Sequence, residues 1–304
     1  MRRVAAIDCG TNSIRLLVAD LDGDHKHDLA RDMRIVRLGE GVDRTGRLDE
    51  AALARTLDVC TEYAQIVREH GASSIRFCAT SATRDASNAA TFNRAVYETF
   101  EVEPDILTGD EEAALTYVGA ARDLPELPDP VLVVDIGGGS TELVVGSRGK
   151  VELAVSIDIG SVRLTERHLR DDPPTADQVE SCVSDIDAAL DACGVDLGGV
   201  RSFVGVAGTV TTLAAHVLGL RAYDSDRIHH ASLSLDAVDA SCRAIVGATV
   251  EERRAMPFMH PGRADVIGGG ALILQRITAR LALTEPMLLA SEHDILDGIA
   301  WSLA

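Results

Sequence analysis

Ile7-Asp8-Cys9-Gly10-Thr11-Asn12-Ser13 returns 127 positions later as Val134-Asp135-Ile136-Gly137-Gly138-Gly139-Ser140. An apolar run precedes each copy (Val4-Ala5-Ala6 and Val131-Leu132-Val133), and another follows it (Ile14 to Ala19 and Leu143 to Val145). The offset is the size of one domain. Each copy reads as a strand, a Gly-rich turn and a second strand, a hairpin whose backbone N–H groups can approach an anion closely. Two such turns predict a duplicated α/β chain that grips a phosphate chain from both sides.

Periodicity extends the duplication outward. In the first half, strands are expected at Val4–Asp8, Ile14–Asp20, His27–Leu38, Ile75–Ala79 and Asp105–Leu107, with helices at Asp49–His70, Asp85–Phe100 and Asp110–Ala121. Leu124-Pro125-Glu126-Leu127-Pro128-Asp129-Pro130 forbids regular structure and marks the boundary between domains 1–124 and 125–304. The second half restarts with strands at Val131–Asp135, Glu142–Gly146 and Val151–Ile157. A helix from Ser161 to Leu169, a second ending near Cys193, a strand at Phe203–Val206 and a helix at Thr209–Leu218 follow. A short strand near Pro286–Leu289 and a final helix, His293–Ala304, end the chain; whether that helix packs back on the first domain is left open. Each sheet is expected to be mixed, a three-strand meander followed by strands reached through helical crossovers, with the active cleft between the halves.

Composition bounds the function. The chain has 304 residues, 46% apolar and 25% charged, as in a soluble globular protein. Aromatics are only 3%, so Ala, Val, Leu and Ile must build the cores. A net charge of −19 argues against nucleic-acid polymers as partners, because phosphate backbones demand a basic surface. A local pocket of a few arginines can still take one phosphorylated ligand. No apolar stretch approaches the ~20 residues of a membrane helix, and Met1-Arg2-Arg3 leads into no signal sequence. None of the six cysteines forms a C-x-x-C pair, so a cytoplasmic setting without a zinc cluster is expected.

Several residues suit phosphate chemistry. Ser13, Ser140 and Thr141 add hydroxyls to the turns. Asp8 and Asp135 place an acid beside each turn, which is unfavourable for phosphate unless the acid binds metal or positions water. Glu142 adds a third carboxylate near Ser140. A third Gly turn, Val206-Ala207-Gly208-Thr209, joins a strand to a helix and offers either a helix N-terminus to a phosphate or a tight turn capped by Thr209. Thr108 and Glu111 have capping-box spacing, which leaves Glu112 as a spare acid, either solvated at the helix start or in use. Arg84, in Ala79-Thr80-Ser81-Ala82-Thr83-Arg84-Asp85, lies at a strand's C-terminal edge, either clamping phosphate or paired with Asp85. His229-His230 has no acid at metal spacing and is expected on a surface or cleft rim. Glu251-Glu252-Arg253-Arg254 reads as a solvated helix face, and Trp301 as an anchor for the last helix.

Together these segments resemble the exopolyphosphatases and guanosine pentaphosphate phosphohydrolases (the Ppx/GppA family), within the actin-like superfamily of duplicated ribonuclease H-like domains. The resemblance lies in residues 5–18, L-G-E-G-V (38–42), A-T-S-A-T-R-D-A-S-N (79–88), T-G-D-E-E-A (108–113), V-V-D-I-G-G-G-S-T-E-L (133–143) and G-V-A-G-T-V-T-T-L-A (205–214). Arg263-Ala264-Asp265 followed by Gly268-Gly269-Gly270 is similar to the family's C-terminal segment. It implies Glu112 as catalytic base, with Asn12 and Arg84 holding the terminal phosphate. It implies Asp135 and Glu142 as Mg²⁺ ligands. Gly10, Thr11 and Ser13, Gly137, Gly138, Gly139, Ser140 and Thr141, and Gly208 with Thr209 are implied to bind substrate.

The implied reaction is release of the terminal phosphate from polyphosphate, with short chains favoured because the chain resembles the short, two-domain form. Hydrolysis of pppGpp to ppGpp is the alternative. A small-molecule kinase and an actin-like scaffold are the readings from other classes, distinguished by acceptor-dependent ADP formation and by ATP-dependent assembly. A homodimer is the implied oligomer. Two departures stand out: Ser161 replaces a cysteine found in many members, and Asp297 replaces an arginine.

Overall fold

The computed structural model describes residues 2–304, which form two compact units. One runs up to Gly119 and includes Ile295–Ala304; the other is Ala120–Asp294. The first unit's strands are β1 (Arg2–Cys9), β2 (Ser13–Asp22), β3 (His25–Ile35), β4 (Ser74–Ala79) and β5 (Asp105–Ile106), in the order β3-β2-β1-β4-β5. β1 pairs antiparallel with β2 and parallel with β4. The second unit has β6 (Val131–Ile136), β7 (Thr141–Ser147), β8 (Lys150–Ile157), β9 (Ser202–Val206), β10 (Ser232–Ser234) and β11 (Met287–Ala290), in the order β10-β11-β9-β6-β7-β8. Apart from β10, the second sheet repeats the first strand for strand, as the duplicated α/β reading expects.

Local chemistry explains the meanders. β1 and β6 are central and buried on both faces, hence their nearly unbroken apolar runs. Arg148 and Gly149 turn β7 into β8 with φ of 53° and 71°, the paired positive values of a tight hairpin.

The first sheet shows why the tail belongs to it. Ala5, Ile7 and Cys9 of β1 pack with Tyr63 and Val67 of helix Glu50–His70, while Val4 and Ala6 pack with Leu296, Ile299 and Trp301. Period-two alternation sends one set to each face. Helix Ile295–Trp301 covers the second face, so the tail joins the first unit rather than residues 125–304, and Trp301 is its apolar anchor. Gly298 permits the close approach of this helix: a Cβ there would stand 1.9 Å from the Leu115 carbonyl oxygen. Asp297 is fully buried and pairs with Lys26 at 3.1 Å and Arg31 at 2.5 Å, so it fastens the helix to β3.

Three elements differ from expectation. The helix expected from Asp85 starts at Ala89, after a short turn of helix at Ser81–Arg84. Asn88 instead exchanges hydrogen bonds with the Leu48 backbone, and Ser87 donates to the Gly46 carbonyl, which draws the segment away from helix geometry. β10, three residues long, is too short to leave a periodic signal. Arg253 is not solvated: it is 3% exposed and donates to the carbonyls of Ile245, Val246 and Ala264. No helix among the described residues is long and apolar enough to cross a membrane.

Candidate active site

The two hairpins repeat in geometry as well as in sequence. The Gly10 N–H donates to the Ser13 carbonyl at 2.9 Å, and the Gly137 N–H donates to the Ser140 carbonyl at 3.1 Å. In each copy the turn's carbonyls are taken by a neighbouring segment. The Asn12 carbonyl accepts from the Val36 and Arg37 amides, and the Thr11 carbonyl from the Gly39 amide at 2.8 Å. The Gly137 carbonyl accepts from Ser161 and the Gly138 carbonyl from Val162 and Arg163, at the start of helix Ser161–His168; the Arg163 guanidinium donates to the Gly139 carbonyl. Among the described residues, the amides of Gly138, Gly139 and Ser140 make no such bond. A turn tied by its carbonyls with amides to spare is suited to an anion.

The packing leaves no room for side chains behind the turns. A Cβ on Gly160 would stand 2.5 Å from the Gly138 carbonyl, and one on Gly39 would stand 2.4 Å from Thr11 Cγ2. Ser161 sits where the family often has cysteine, and its hydroxyl donates to the Gly137 carbonyl, a scaffold role that needs no thiol. Burial pushes the thiols of Cys60, Cys78, Cys182 and Cys242 up to about 12, which removes them from nucleophilic chemistry.

In the first unit, Glu112 and Arg84 come together. Thr108 and Glu111 form the expected capping box: the Thr108 amide and hydroxyl both donate to Glu111 Oε2, at 2.9 and 2.8 Å, and the Glu111 amide donates back. These bonds hold the Glu111 carboxyl below the usual glutamate range. Glu112, one position on, turns inward and is 8% exposed. Arg84 Nη1 donates to Glu112 Oε2 at 3.2 Å and to the Leu107 carbonyl at 2.9 Å. Arg84 thus pairs with Glu112 and not with Asp85, and the rest of its fork makes no hydrogen bond among the described residues. The Asn12 side-chain oxygen is buried with no hydrogen-bond partner among the described residues, the state of a group awaiting a ligand or water.

The acids of the two hairpins have different partners. Asp8 faces Arg15 across β1 and β2, and Arg15 donates to Asp8 Oδ2 at 2.6 and 2.9 Å. Asp135 faces Glu142 across β6 and β7, with both side chains under 7% exposed. Ser156 donates to Glu142 Oε1 at 2.7 Å. Two buried carboxylates side by side repel unless a cation or proton joins them, and an all-oxygen donor set suits Mg²⁺. The residues present therefore fit the expected metal.

Some predicted contacts are committed elsewhere. The Thr141 hydroxyl donates to the Ile159 carbonyl at 2.7 Å, and the Thr209 hydroxyl to the Ile136 carbonyl at 3.1 Å. Neither proton is left for a phosphate, and Thr209 does not cap its helix. Thr11 shares a buried hydrogen bond with Ser81. At the third turn, Ala207 adopts φ 61° before helix residues Gly208 and Thr209, and the Arg263 guanidinium lies where a Gly208 Cβ would go. Strained backbone of this kind clusters at ligand sites. The sequence alone does not reveal Arg15 or Arg263 as neighbours of these turns, because one depends on strand register and the other on a contact distant in the chain.

Known proteins resemble this chain in sequence and fold. The sequence model of the Ppx/GppA phosphatase family matches residues 17–300. Exopolyphosphatase 2 of Mycobacterium tuberculosis is 44% identical over all of this chain and 99% of its own length. The crystal structure of an exopolyphosphatase from Cytophaga hutchinsonii superposes with a TM-score of 0.91 at 25% identity, covering 99% of this chain and 97% of that one. The Aquifex aeolicus PPX-GPPA enzyme superposes with a TM-score of 0.83 at 32% identity, covering 99% of both chains. With the family model spanning nearly the whole chain and a full-length relative at this identity, the chain belongs to the Ppx/GppA phosphatase family.

Proposed function

We propose that this protein is an exopolyphosphatase, a phosphoanhydride hydrolase that releases the terminal phosphate of inorganic polyphosphate. The observation that carries the reading is the duplicated hairpin with its carbonyls tied back, beside Arg84–Glu112 in one unit and Asp135–Glu142 in the other. The full-length likeness to exopolyphosphatase 2 supports it.

In this mechanism, amides of the turns and the open edge of the Arg84 fork hold the non-bridging oxygens of the terminal phosphoryl group. Asn12 stands with Arg84 at the terminal phosphate, and Glu112 positions the attacking water. As the new P–O bond forms, the water's proton passes to Glu112. The bridging P–O bond breaks, and the shortened chain leaves with the electron pair. Asp135 and Glu142 would hold Mg²⁺, which would neutralise charge on the phosphoryl oxygens. Phosphoryl transfer needs mainly positioning and charge stabilisation, which these groups supply.

The deciding experiment measures phosphate release, with Mg²⁺, from short polyphosphate, long polyphosphate and pppGpp. Release from polyphosphate in excess of pppGpp is expected. Release from pppGpp alone would move the protein to the alternative substrate, and release from none would overturn the proposal.

A further inference from the structure

The second unit also gathers three imidazoles around one carboxylate. Asp123 Oδ2 stands 2.7 Å from His293 Nδ1, 2.9 Å from His229 Nε2 and 3.8 Å from His230 Nε2. The four side chains are between 25% and 34% exposed, sheltered yet reachable. The acid that His229-His230 lacked in the sequence is thus supplied from 106 positions away.

The hydrogen bonds sort the rings by role. His229 Nδ1 accepts the Glu292 amide at 3.2 Å, so its proton sits on Nε2 and is donated to Asp123. Ligation of a metal by that Nε2 would turn two N–H groups against each other at Glu292, so His229 is an orienting group for the carboxylate. His230 is different. Its Nε2 is buried and has no hydrogen-bond partner among the described residues. Its backbone is held at φ 59°, with its amide donating to the Ala290 carbonyl at 2.8 Å while the Ala290 amide donates to Ala231 at 2.9 Å. A left-handed residue pinned by β11, presenting an unpartnered imidazole nitrogen toward a carboxylate, calls for a ligand.

We propose that Asp123, His230 and His293 form a binding site for a divalent transition-metal ion of the zinc class, with His229 positioning the Asp123 carboxylate. Two imidazoles and a carboxylate are donors for zinc and its neighbours, whereas Mg²⁺ prefers oxygen alone, so this site and the Asp135–Glu142 pair select different cations. The Asp123 carboxylate is the common neighbour of both ligand rings, 2.7 Å from His293 Nδ1 and 3.8 Å from His230 Nε2, so small side-chain shifts would bring them to one ion. The location suggests a structural use. Asp123 lies just after the chain enters the second unit at Ala120, and His293 just before it leaves at Asp294. A bound ion would staple the entering and leaving segments to the His230 loop.

The test uses untagged protein stripped with a chelator and titrated with Zn²⁺ by calorimetry in millimolar Mg²⁺. One equivalent is expected to bind, and Co²⁺ in its place is expected to give intense visible absorption from a low-coordinate site. His230→Ala and His293→Ala should each weaken Zn²⁺ binding by about 10-fold or more, with His229→Ala weakening it less. Asp135→Asn should leave it unchanged. Thermal unfolding of the wild-type protein provides a readout free of substitutions: Zn²⁺ should raise the midpoint. Absence of stoichiometric binding, binding that survives both His230→Ala and His293→Ala, loss of binding in Asp135→Asn, or no shift of the midpoint would each overturn the proposal.

Discussion

Arg15 and Glu142, 127 positions apart in the chain, occupy the same slot of the duplicated hairpin, each directly across from the aspartate of its own copy. Asp8 is therefore neutralised by a guanidinium, while Asp135 shares its place with a second carboxylate. At one register position, then, the first hairpin carries a closed ion pair and the second a pair of acids. Glu142→Gln should raise the Mg²⁺ concentration for half-maximal phosphate release by about 10–100-fold. Because it removes one of two buried like charges, the metal-free variant should be no less stable than wild type. Titrating Mg²⁺ at saturating polyphosphate checks the first outcome; an unchanged Mg²⁺ dependence removes Glu142 from the site.

Glu111 and Glu112 are adjacent, yet their environments assign them different work. Glu111 is spent on the Thr108 cap, and Glu112 faces Arg84. Glu112→Gln should lower kcat for phosphate release by about 10²–10⁴-fold with little change in KM, the loss typical of a missing general base. Glu111→Gln should leave kcat near wild type and lower only the unfolding midpoint. Equal losses in both variants would mean that the helix start, and not the Glu112 carboxylate, governs turnover.

What was legible in the sequence was local. The hairpins, the capping box and the central strands are written in spacings of two to four residues, and the structure contains them. The amide-out pose of the Gly turns was only half visible. The glycines announce it, but the segments that hold the carbonyls, 36–39 and 161–163, lie about two dozen positions from the carbonyls they hold. The Thr141 and Thr209 hydroxyls looked available because their partners, the carbonyls of Ile159 and Ile136, are set by packing. Asp297 looked like a lost basic contact. Its role appears only when β3 brings Lys26 and Arg31 to it across 266 positions or more.

Asp297 leads to a stability prediction. Its carboxylate is fully buried and is shared by Lys26 and Arg31. Asp297→Ala removes this buried anion and leaves Lys26 and Arg31 still paired with Asp28, a loss of about 1–3 kcal/mol. Urea unfolding should show a loss of that size, and limited proteolysis should cut first at the start of helix Ile295–Trp301. A variant as stable as wild type would mean that apolar packing by Leu296, Ile299 and Trp301 alone holds the helix.

Asp187 sets a pH dependence. Burial raises its carboxyl, but hydrogen bonds from Arg276 at 2.8 Å and Arg280 at 2.7 Å prevail and hold it below the ordinary 3.8. A carboxyl lowered in the folded state contributes stability above its unfolded value and loses it as pH falls through the folded one. Asp187→Asn should therefore cost up to about 1 kcal/mol at neutral pH, the range of partly exposed pairs. The difference from wild type should shrink as pH drops below about 4. Thermal midpoints of both proteins across that range check the sign; a gap that widens in acid would contradict it.

Gly160 provides the sharpest test of the turn that follows β6. Its φ of −156° is ordinary extended backbone, so alanine there meets no backbone strain of its own. The obstacle is space: the new Cβ would stand 2.5 Å from the carbonyl carbon and oxygen of Gly138 and 2.6 Å from the Gly139 nitrogen. Backbone cannot swing aside as a flexible side chain can, so the turn that presents its amides must shift. Misplacement of a positioning group by about 1 Å can cost on the order of 10²-fold in rate, and Gly160→Ala should lose at least about 10-fold in phosphate release. Gly194→Ala is the matched control. Its φ of 77° makes alanine strained, yet nothing lies within 4 Å of the added methyl. It should lose about 1 kcal/mol of stability with turnover intact. If both alanines reduce turnover in proportion to lost stability, the Gly137–Ser140 turn is only a scaffold. If Gly160→Ala alone loses turnover while still folded, the position of those amides is what the reaction depends on.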